Sequence, residues 1–143
     1  MVMYRILLAD PDASLLALHR AFLARHGYEV ETCSDGLGCL DLLRTFRPHL
    51  LVLDPDLPWG RGEGVLSLMA DGDVPAAPVV LVSASLAAQR PLLAGRFPVR
   101  SALSKPFAPD RLADDIRSAL GADDAALRVP AAPPDRRPPQ PWA

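Results

Sequence analysis

The sequence predicts an α/β fold, (βα)₅, in which helices cover both faces of a doubly wound parallel five-stranded sheet. Two observations predict it. Short apolar runs alternate with segments of helical periodicity through residues 1–121. The clearest runs, at residues 50–53 and 79–82, are apolar throughout, which is typical of strands buried on both faces of a parallel sheet.

Five segments are predicted to be strands. Residues 4–9, 50–53 and 79–82 are the buried candidates. Residues 28–32 alternate polar and apolar side chains, so this strand is expected near an edge of the sheet. Residues 99–104 supply a weaker fifth strand.

The first two helices are predicted over residues 13–26 and 37–46. The first ends at Gly27, a residue well suited to the position after a helix C-terminus, and the second stops before Pro48. Apolar side chains at helical spacing support both: Leu15, Leu18 and Phe22 in the first, Leu40 and Leu43 in the second.

Three more helices are predicted towards the C-terminus. Residues 64–70 form a short third helix, and residues 86–95 form a fourth that Pro91 should break or shorten. The last helix, residues 109–120, carries Pro109 in its first turn, where proline is tolerated. Its predicted inner face consists of Leu112, Ile116, Ala119 and Leu120.

Composition and charge limit the classes of function. The chain has 143 residues, 50% of them hydrophobic, which is enough for one domain with one core. The formal net charge of −2 shows no basic excess, so nucleic acid is not expected as a direct partner. Apolar runs are too short to span a bilayer, and Asp10 interrupts any signal-peptide core, so we expect no membrane contact and a cytoplasmic location.

Residues 122–143 differ in composition from the rest of the chain. Six of the 16 prolines lie between Pro130 and Pro141. Such a segment buries too little apolar surface to offset its loss of conformational entropy, so we expect a disordered tail after a domain spanning residues 1–121. A PxxP-type docking segment is the functional alternative.

Chemically useful side chains follow the predicted strands at their carboxyl ends, where sites form in open parallel sheets. Asp10 and Asp54 follow the first and third strands, Ser83 ends the fourth, and Lys105 follows the fifth. Lys105 is the only lysine of the sequence, and lysine is a compact charge that can enter a narrow phosphate site. A strand-end Asp alone is often just a helix cap, so the combination is much more specific than any member.

Clustered carboxylates repel one another, so this edge of the sheet needs a compensating cation. Mg²⁺ is suitable, because it takes one or two carboxylates together with waters. A metal-bound carboxylate, an ammonium group and a hydroxyl are also the groups that phosphoryl transfer uses. The carboxylate would be the nucleophile and would become an aspartyl phosphate.

Residues 4–120 resemble the receiver domain of bacterial two-component response regulators. ILLADPDASLLALHRAFLARHGYEVETCSDG is similar to the family's first βαβ unit, and LLVLDPDLP to its phosphoacceptor strand. VVLVSAS resembles the strand with the conformational Ser or Thr, and LSKPF the strand end with Lys-Pro. The resemblance implies the flavodoxin-like receiver architecture and a phosphoprotein of a phosphorelay.

The resemblance implies a role for each matched residue. Asp54 is the phosphoacceptor, Asp10 helps to hold Mg²⁺ through water, and Asp56 offers the metal a backbone carbonyl. Ser83 bonds the phosphoryl group and moves with it. Lys105 pairs with the phosphoryl oxygens, positioned by a peptide bond to the following proline that is cis in the family. The expected reacting residues are therefore Asp54, Ser83 and Lys105, and the expected metal residues Asp10, Asp54 and Asp56.

The implied partners are a histidine kinase or phosphotransfer protein as phosphoryl donor, and a target protein that the sequence does not identify. We expect a stand-alone receiver without an output domain, monomeric or weakly dimeric, which acts through protein–protein contacts. It would catalyse its own phosphorylation and dephosphorylation but would not be a turnover enzyme.

Three positions depart from the family pattern. Pro11 stands where the family has a second acid that binds Mg²⁺ directly, so weaker metal binding and phosphorylation are expected, with partial compensation if the Asp56 side chain turns to the metal. Ala102 stands at the aromatic switch position, so coupling of Ser83 to a ring is absent. Trp59 replaces a usual small residue, and either packs over the mouth of the site or offers a ring to a partner.

Two alternatives remain open. A degenerate receiver would keep the fold as an interaction module without phosphorylation, and Pro11 favours it. A phosphohydrolase of the haloacid-dehalogenase type is a more distant alternative, because residues 54–56 form a DxD after an apolar strand. Those enzymes place that strand early and need a longer chain with a cap.

We interpret the three histidines and the two cysteines as structural residues. His19, His26 and His49 have no mutual metal-ligand spacing, so we interpret them as ordinary helix and turn residues. Cys33 and Cys39 match no metal or disulfide framework and are interpreted as small buried side chains, not redox sensors.

Overall fold

The computed structural model describes the backbone of residues 3–127 and the side chains of residues 3–121. Five strands run through this part of the chain: β1 Arg5–Ala9, β2 Glu29–Cys33, β3 Leu50–Leu53, β4 Val79–Ser83 and β5 Val99–Ser104. They form one parallel sheet in the order β2-β1-β3-β4-β5. The predicted doubly wound α/β fold is confirmed.

The position of each strand explains its sequence pattern. β3 and β4 have neighbours on both sides, and every residue in them is buried. β2 and β5 are the edge strands, and most of their residues are partly exposed or exposed. The predicted edge position of the alternating strand is therefore confirmed.

Four α-helices and one 3₁₀ segment connect and follow the strands: α1 Ala13–Arg25, α2 Gly36–Thr45, α3 Arg61–Ala70, the 3₁₀ segment Leu86–Leu93 and α4 Pro109–Leu127. Side chains cap the first two helices. The Asp12 carboxylate accepts hydrogen bonds from two amides of the first turn of α1, and Asp35 accepts one in α2. Such caps satisfy amides that have no partner inside the helix. None of the helices in the part of the chain described is both long and apolar enough to cross a membrane.

The core consists of two apolar clusters, one on each face of the sheet. β1 contributes to both, because successive strand side chains point to opposite faces. Ile6 and Leu8 join the cluster that α1 and α4 cover, whereas Leu7 and Ala9 join the cluster under α2, α3 and the 3₁₀ segment. Burying one such leucine contributes about 1.5–3 kcal/mol relative to leaving it in water.

The buried face of α1 differs from the face predicted from the spacing of its apolar residues. Leu16, His19 and Leu23 are the buried residues of this helix. Leu18 is 53% exposed, whereas Leu15 and Phe22 are partly buried and Phe22 packs against the core, so the predicted stripe was wrong at Leu18. Both stripes have helical spacing and apolar members, so the pattern alone could not separate them.

Three element boundaries also differ from the prediction. α3 begins at Arg61 instead of residue 64, because Gly62 lets the helix start against the Pro55 backbone, whose carbonyl accepts the Gly62 amide at 3.0 Å. The predicted fourth helix is a 3₁₀ segment, since Pro91 has no amide hydrogen for an α-helical bond. α4 continues to Leu127, and residues 128–143 of the predicted tail lie outside the residues described.

Candidate functional site

Two acids lie side by side at the carboxyl edge of the sheet. Asp10 follows β1 and Asp54 follows β3, the neighbouring strand. The Asp10 amide donates to the Cys33 carbonyl at 3.1 Å, and the Asp54 amide donates to the Ala9 carbonyl at 2.9 Å. These bonds extend the sheet ladder beyond the strands and hold both residues rigidly. The strand order changes direction here, which is where sites form in open α/β sheets.

Lys105 joins the two acids. Its Nζ donates to Asp10 Oδ2 at 2.6 Å and to Asp54 Oδ2 at 2.7 Å. Its amide donates to the Ser83 carbonyl at 2.9 Å, which ties the end of β5 to the end of β4. The peptide bond between Lys105 and Pro106 is cis, as the resemblance implied. The structure thus brings together three of the residues that the sequence singled out.

The other oxygen of each carboxylate is held by the backbone. Asp10 Oδ1 accepts the Asp12 amide at 2.9 Å, and Asp54 Oδ1 accepts the Asp56 amide at 2.8 Å. The Asp10 and Asp54 side chains are only 7% and 6% exposed. Each carboxylate is therefore oriented at both oxygens before any ligand arrives, which lowers the reorganisation that a reaction would require.

The charges of this cluster do not balance. Two carboxylates face one ammonium group, which leaves one negative charge in a largely buried site. Burial alone would lower the pKa of Lys105, but the hydrogen bonds and charges of Asp10 and Asp54 outweigh it, so the pKa is raised. Lys105 is therefore a permanent cation at neutral pH, and the remaining negative charge favours a further cation at the site.

Ser83 lies at the end of β4 and is fully buried. Its Oγ accepts the Ser85 amide at 2.9 Å, which orients the hydroxyl. A hydroxyl that accepts one bond keeps its own proton to donate. Ser83 thus ends the strand beside β3, which Asp54 follows, and its hydroxyl can donate a hydrogen bond to an incoming oxyanion.

Asp56 contributes to the site through its backbone. Its amide holds Asp54, while its side chain is exposed. Pro11, in the loop between β1 and α1, has no side-chain donor for a metal. Within the side chains described, no three His, Cys, Asp or Glu residues converge as a ready metal cage.

The donors present nevertheless fit Mg²⁺. The two converging carboxylates, of Asp10 and Asp54, are hard oxygen ligands. Mg²⁺ in proteins commonly takes one or two carboxylates and completes its shell with waters and phosphate oxygens. Asp10 and Asp54 therefore suit a Mg²⁺ ion that arrives with its waters, instead of one enclosed by the protein.

His19 is a neighbour of the site that the sequence did not indicate. It is 5% exposed, and its ring stacks on that of Phe107 with the centroids 5.3 Å apart. Among the described residues, its Nε2 has no hydrogen-bond partner. Burial lowers the pKa of His19, Lys105 lowers it further and Asp10 opposes both, so the ring is neutral at neutral pH. The rotation of α1 about its axis places His19 beside the site, and the sequence pattern did not predict that rotation.

Trp59 and Ala102 are two of the positions that depart from the family pattern. Trp59 is 71% exposed, which does not support a ring packed down over the site and leaves it available to a partner. Its backbone φ of 55° is in the left-handed region, where glycine is favoured. Ala102 borders a surface cavity of about 420 Å³ that Leu86, Phe107 and Arg111 also line. The small side chain leaves this space beside β5 open.

Comparisons with known proteins agree with the geometry. The family model of the response regulator receiver domain matches residues 6–117. The DNA-binding response regulator MtrA of Mycolicibacterium paratuberculosis is 31% identical over 121 residues, which cover 84% of this chain and 52% of that relative. The chain thus spans about half the length of that curated relative.

Solved structures show the same fold. A CheY-like receiver domain protein from Methanospirillum hungatei superposes with a TM-score of 0.78 at 22% identity, covering 87% of this chain and 99% of that one. The receiver domain of the sensor histidine kinase PA1611 of Pseudomonas aeruginosa, with a magnesium ion in its active-site cleft, gives 0.72 at 23% identity, covering 84% and 99%. Sequence motifs, fold and family match agree, and the chain belongs to the response regulator receiver family of two-component signalling.

Proposed function

We propose that this receiver accepts a phosphoryl group on Asp54 in a Mg²⁺-dependent reaction. The observation that carries the proposal is the Lys105 ammonium group held between Asp10 and Asp54. It joins the ends of three strands into one compact site. A surface ion pair would not need two buried carboxylates, whose burial is costly unless they are paired.

The residues present supply the parts of a phosphoryl transfer. An oxygen of Asp54 attacks the phosphorus of a phosphohistidine, the bond between phosphorus and the histidine nitrogen breaks, and an acyl phosphate forms. Lys105 leaves Asp54 to pair with a phosphoryl oxygen, and the Ser83 hydroxyl donates to another. Mg²⁺, held by the Asp10 and Asp54 carboxylates and the Asp56 carbonyl, would neutralise phosphoryl oxygens.

The phosphoryl donor would be a histidine kinase or a phosphotransfer protein, and the reaction would place the chain in the cytoplasm. The phosphorylated form would act on a target protein by contact. Because Ala102 carries no ring, Ser83 cannot report phosphorylation through an aromatic side chain at that position. The signal would therefore pass through movement of the strand ends themselves. We propose no reaction beyond gain and loss of this phosphoryl group.

A degenerate receiver is the second candidate, and Pro11 favours it. This residue contributes no side-chain ligand, and the exposed Asp56 side chain does not replace one in the structure. Such a receiver would use the same fold as a constitutive interaction module. The family match to receiver domains argues against the phosphohydrolase interpretation of residues 54–56.

Amide NMR of the full chain separates the two candidates. Mg²⁺ is titrated first, and then beryllofluoride, a mimic of the phosphoryl group. We expect saturable shifts at Asp54, Ser83 and Lys105 in the wild type, and none with beryllofluoride in Asp54→Asn. Asp56→Asn is the matched control, because it keeps the amide and carbonyl of residue 56 and changes only an exposed side chain. A wild type that responds to neither reagent would refute the proposal and identify a degenerate receiver.

A further inference from the structure

The surface cavity of about 420 Å³ lies beside the edge strand β5. Its volume is within the range of about 300–1,000 Å³ for pockets that hold small organic groups. The lining includes Leu86, Ala102, Ser104, Phe107 and Arg111. We propose that the indole ring of Trp142, from the segment that follows α4 in the same chain, binds in this cavity.

The lining offers an indole ring three kinds of contact. The Phe107 ring is partly exposed and can pair with a second ring. The Arg111 side chain is 63% exposed, and a guanidinium group can stack on an aromatic face. Ser104 is also exposed, and its hydroxyl can accept a hydrogen bond from an indole N–H, which needs a partner when it is buried.

Trp142 is the tryptophan that remains available for this cavity. The sequence contains two tryptophans. Trp59 lies in the loop after β3, is 71% exposed and does not line the cavity. Trp142 lies outside the described residues, in the proline-rich segment that follows Leu127.

The length of chain after α4 permits the contact. From Arg111 to the helix end at Leu127, an α-helix rises about 24 Å. Trp142 is the fifteenth residue after Leu127, and a proline-rich chain of that length extends about 46 Å. The segment is therefore long enough to turn back along α4 to the cavity. So short a tether also gives the ring an effective concentration of about a millimolar, which populates a contact too weak to form between separate molecules.

The charges of the two segments favour the same path. The sequence of α4 contains five aspartates and two arginines. Residues 128–143 contain three arginines and one aspartate. Opposite net charges attract, so electrostatics favours a segment that runs back along α4 over one that extends away from it.

The cavity adjoins the receiver site through the two neighbours of Lys105. Ser104 and Pro106 both line it, and the Lys105 amide donates to the Ser83 carbonyl at 2.9 Å. A ring bound in the cavity would therefore contact the strand end that positions Lys105. The proposal does not depend on whether Asp54 is phosphorylated.

Tryptophan fluorescence of the full chain tests the contact. Trp59→Phe leaves Trp142 as the only tryptophan and is the background for the fluorescence variants. We expect Trp142 to emit at a shorter wavelength, and to be quenched less by acrylamide, than in the same chain unfolded in urea. Both properties should be the same at every protein concentration, because the contact is within one chain. In an otherwise wild-type chain, Trp142→Ala should shift the amide resonances of Ser104 and Phe107.

Substitutions in the cavity should release the ring. Ala102→Phe fills the cavity from within and should move the Trp142 emission to the wavelength of the unfolded chain. Arg111→Ala should move it part of the way. Arg117→Ala is the matched control, because Arg117 lies in the same helix, is 65% exposed and does not line the cavity. Both arginine variants remove one positive charge from α4, so only the contact with the ring distinguishes them.

Three results would overturn the proposal. In the folded chain, Trp142 could emit as it does in urea. The two arginine variants could have the same effect on its emission, a comparison that stands even if Ala102→Phe does not fold. Finally, burial of Trp142 could appear only at high protein concentration, which would assign the cavity to the segment of a second copy.

Discussion

Replacing Lys105 with methionine should destabilise the chain in a way that depends on charge. Methionine keeps most of the aliphatic length but removes the ammonium group between Asp10 and Asp54. Because each Oδ2 lies within 2.7 Å of Nζ, the two oxygens are at most about 5 Å apart. Two unit charges at about 5 Å repel by about 3 kcal/mol at an effective dielectric constant of about 20. We therefore expect a loss of about 3 kcal/mol at neutral pH, close to the usual cost of breaking a buried ion pair.

The assay is urea denaturation of the wild type and Lys105→Met at neutral pH, with and without millimolar Mg²⁺. The loss should shrink with Mg²⁺, because the metal restores a cation between the two carboxylates. Arg117→Met is the matched control, since it removes an exposed ion pair with Asp114 and should cost less than about 0.5 kcal/mol.

Two results would refute this reasoning. Lys105→Met could be as stable as the wild type, which would mean that the buried carboxylates need no cation. Alternatively, the loss could be the same with and without Mg²⁺, which would attribute it to packing of the lysine stem.

Three further predictions concern the frame around the site. His19→Leu should raise stability by about 1 kcal/mol, because it removes a buried Nε2 without a hydrogen-bond partner among the described residues. Since burial lowers the pKa of His19 below 6.5, the wild type should lose stability as the pH drops below that value. The difference between the urea midpoints of variant and wild type should therefore widen at low pH. Gly62→Ala places a Cβ against the Pro55 Cα and should cost about 2 kcal/mol or more. Gly64→Ala, in the same helix with open space, should gain up to about 1 kcal/mol in thermal denaturation. Asp12→Ala removes the α1 cap and should cost about 1 kcal/mol; an unchanged melting temperature would show that the cap contributes nothing.

The sequence by itself determined the fold class and the membership of the site. Strands β3 and β4 could be predicted because a strand that is buried on both faces has apolar residues in succession, and such a run is visible in the sequence. The sequence also predicted that three residues would lie together, because the carboxyl ends of parallel strands meet at one edge of the sheet. These residues are Asp10, Asp54 and Lys105. The interruption by Pro91 was also predicted, since a missing amide hydrogen is a local property, but its outcome as a 3₁₀ segment was not.

Only the tertiary structure decided which atoms meet. The Lys105 ammonium contacts carboxylates 95 and 51 residues away in the chain, and the angle of each strand sets those distances. The rotation of α1, which buries His19 instead of Leu18, follows from how the helix packs on the sheet and not from its spacing. The period of apolar residues, about two in a strand and about three and a half in a helix, indicates which face of an element is apolar. Contacts between individual atoms depend instead on how whole elements are placed relative to one another.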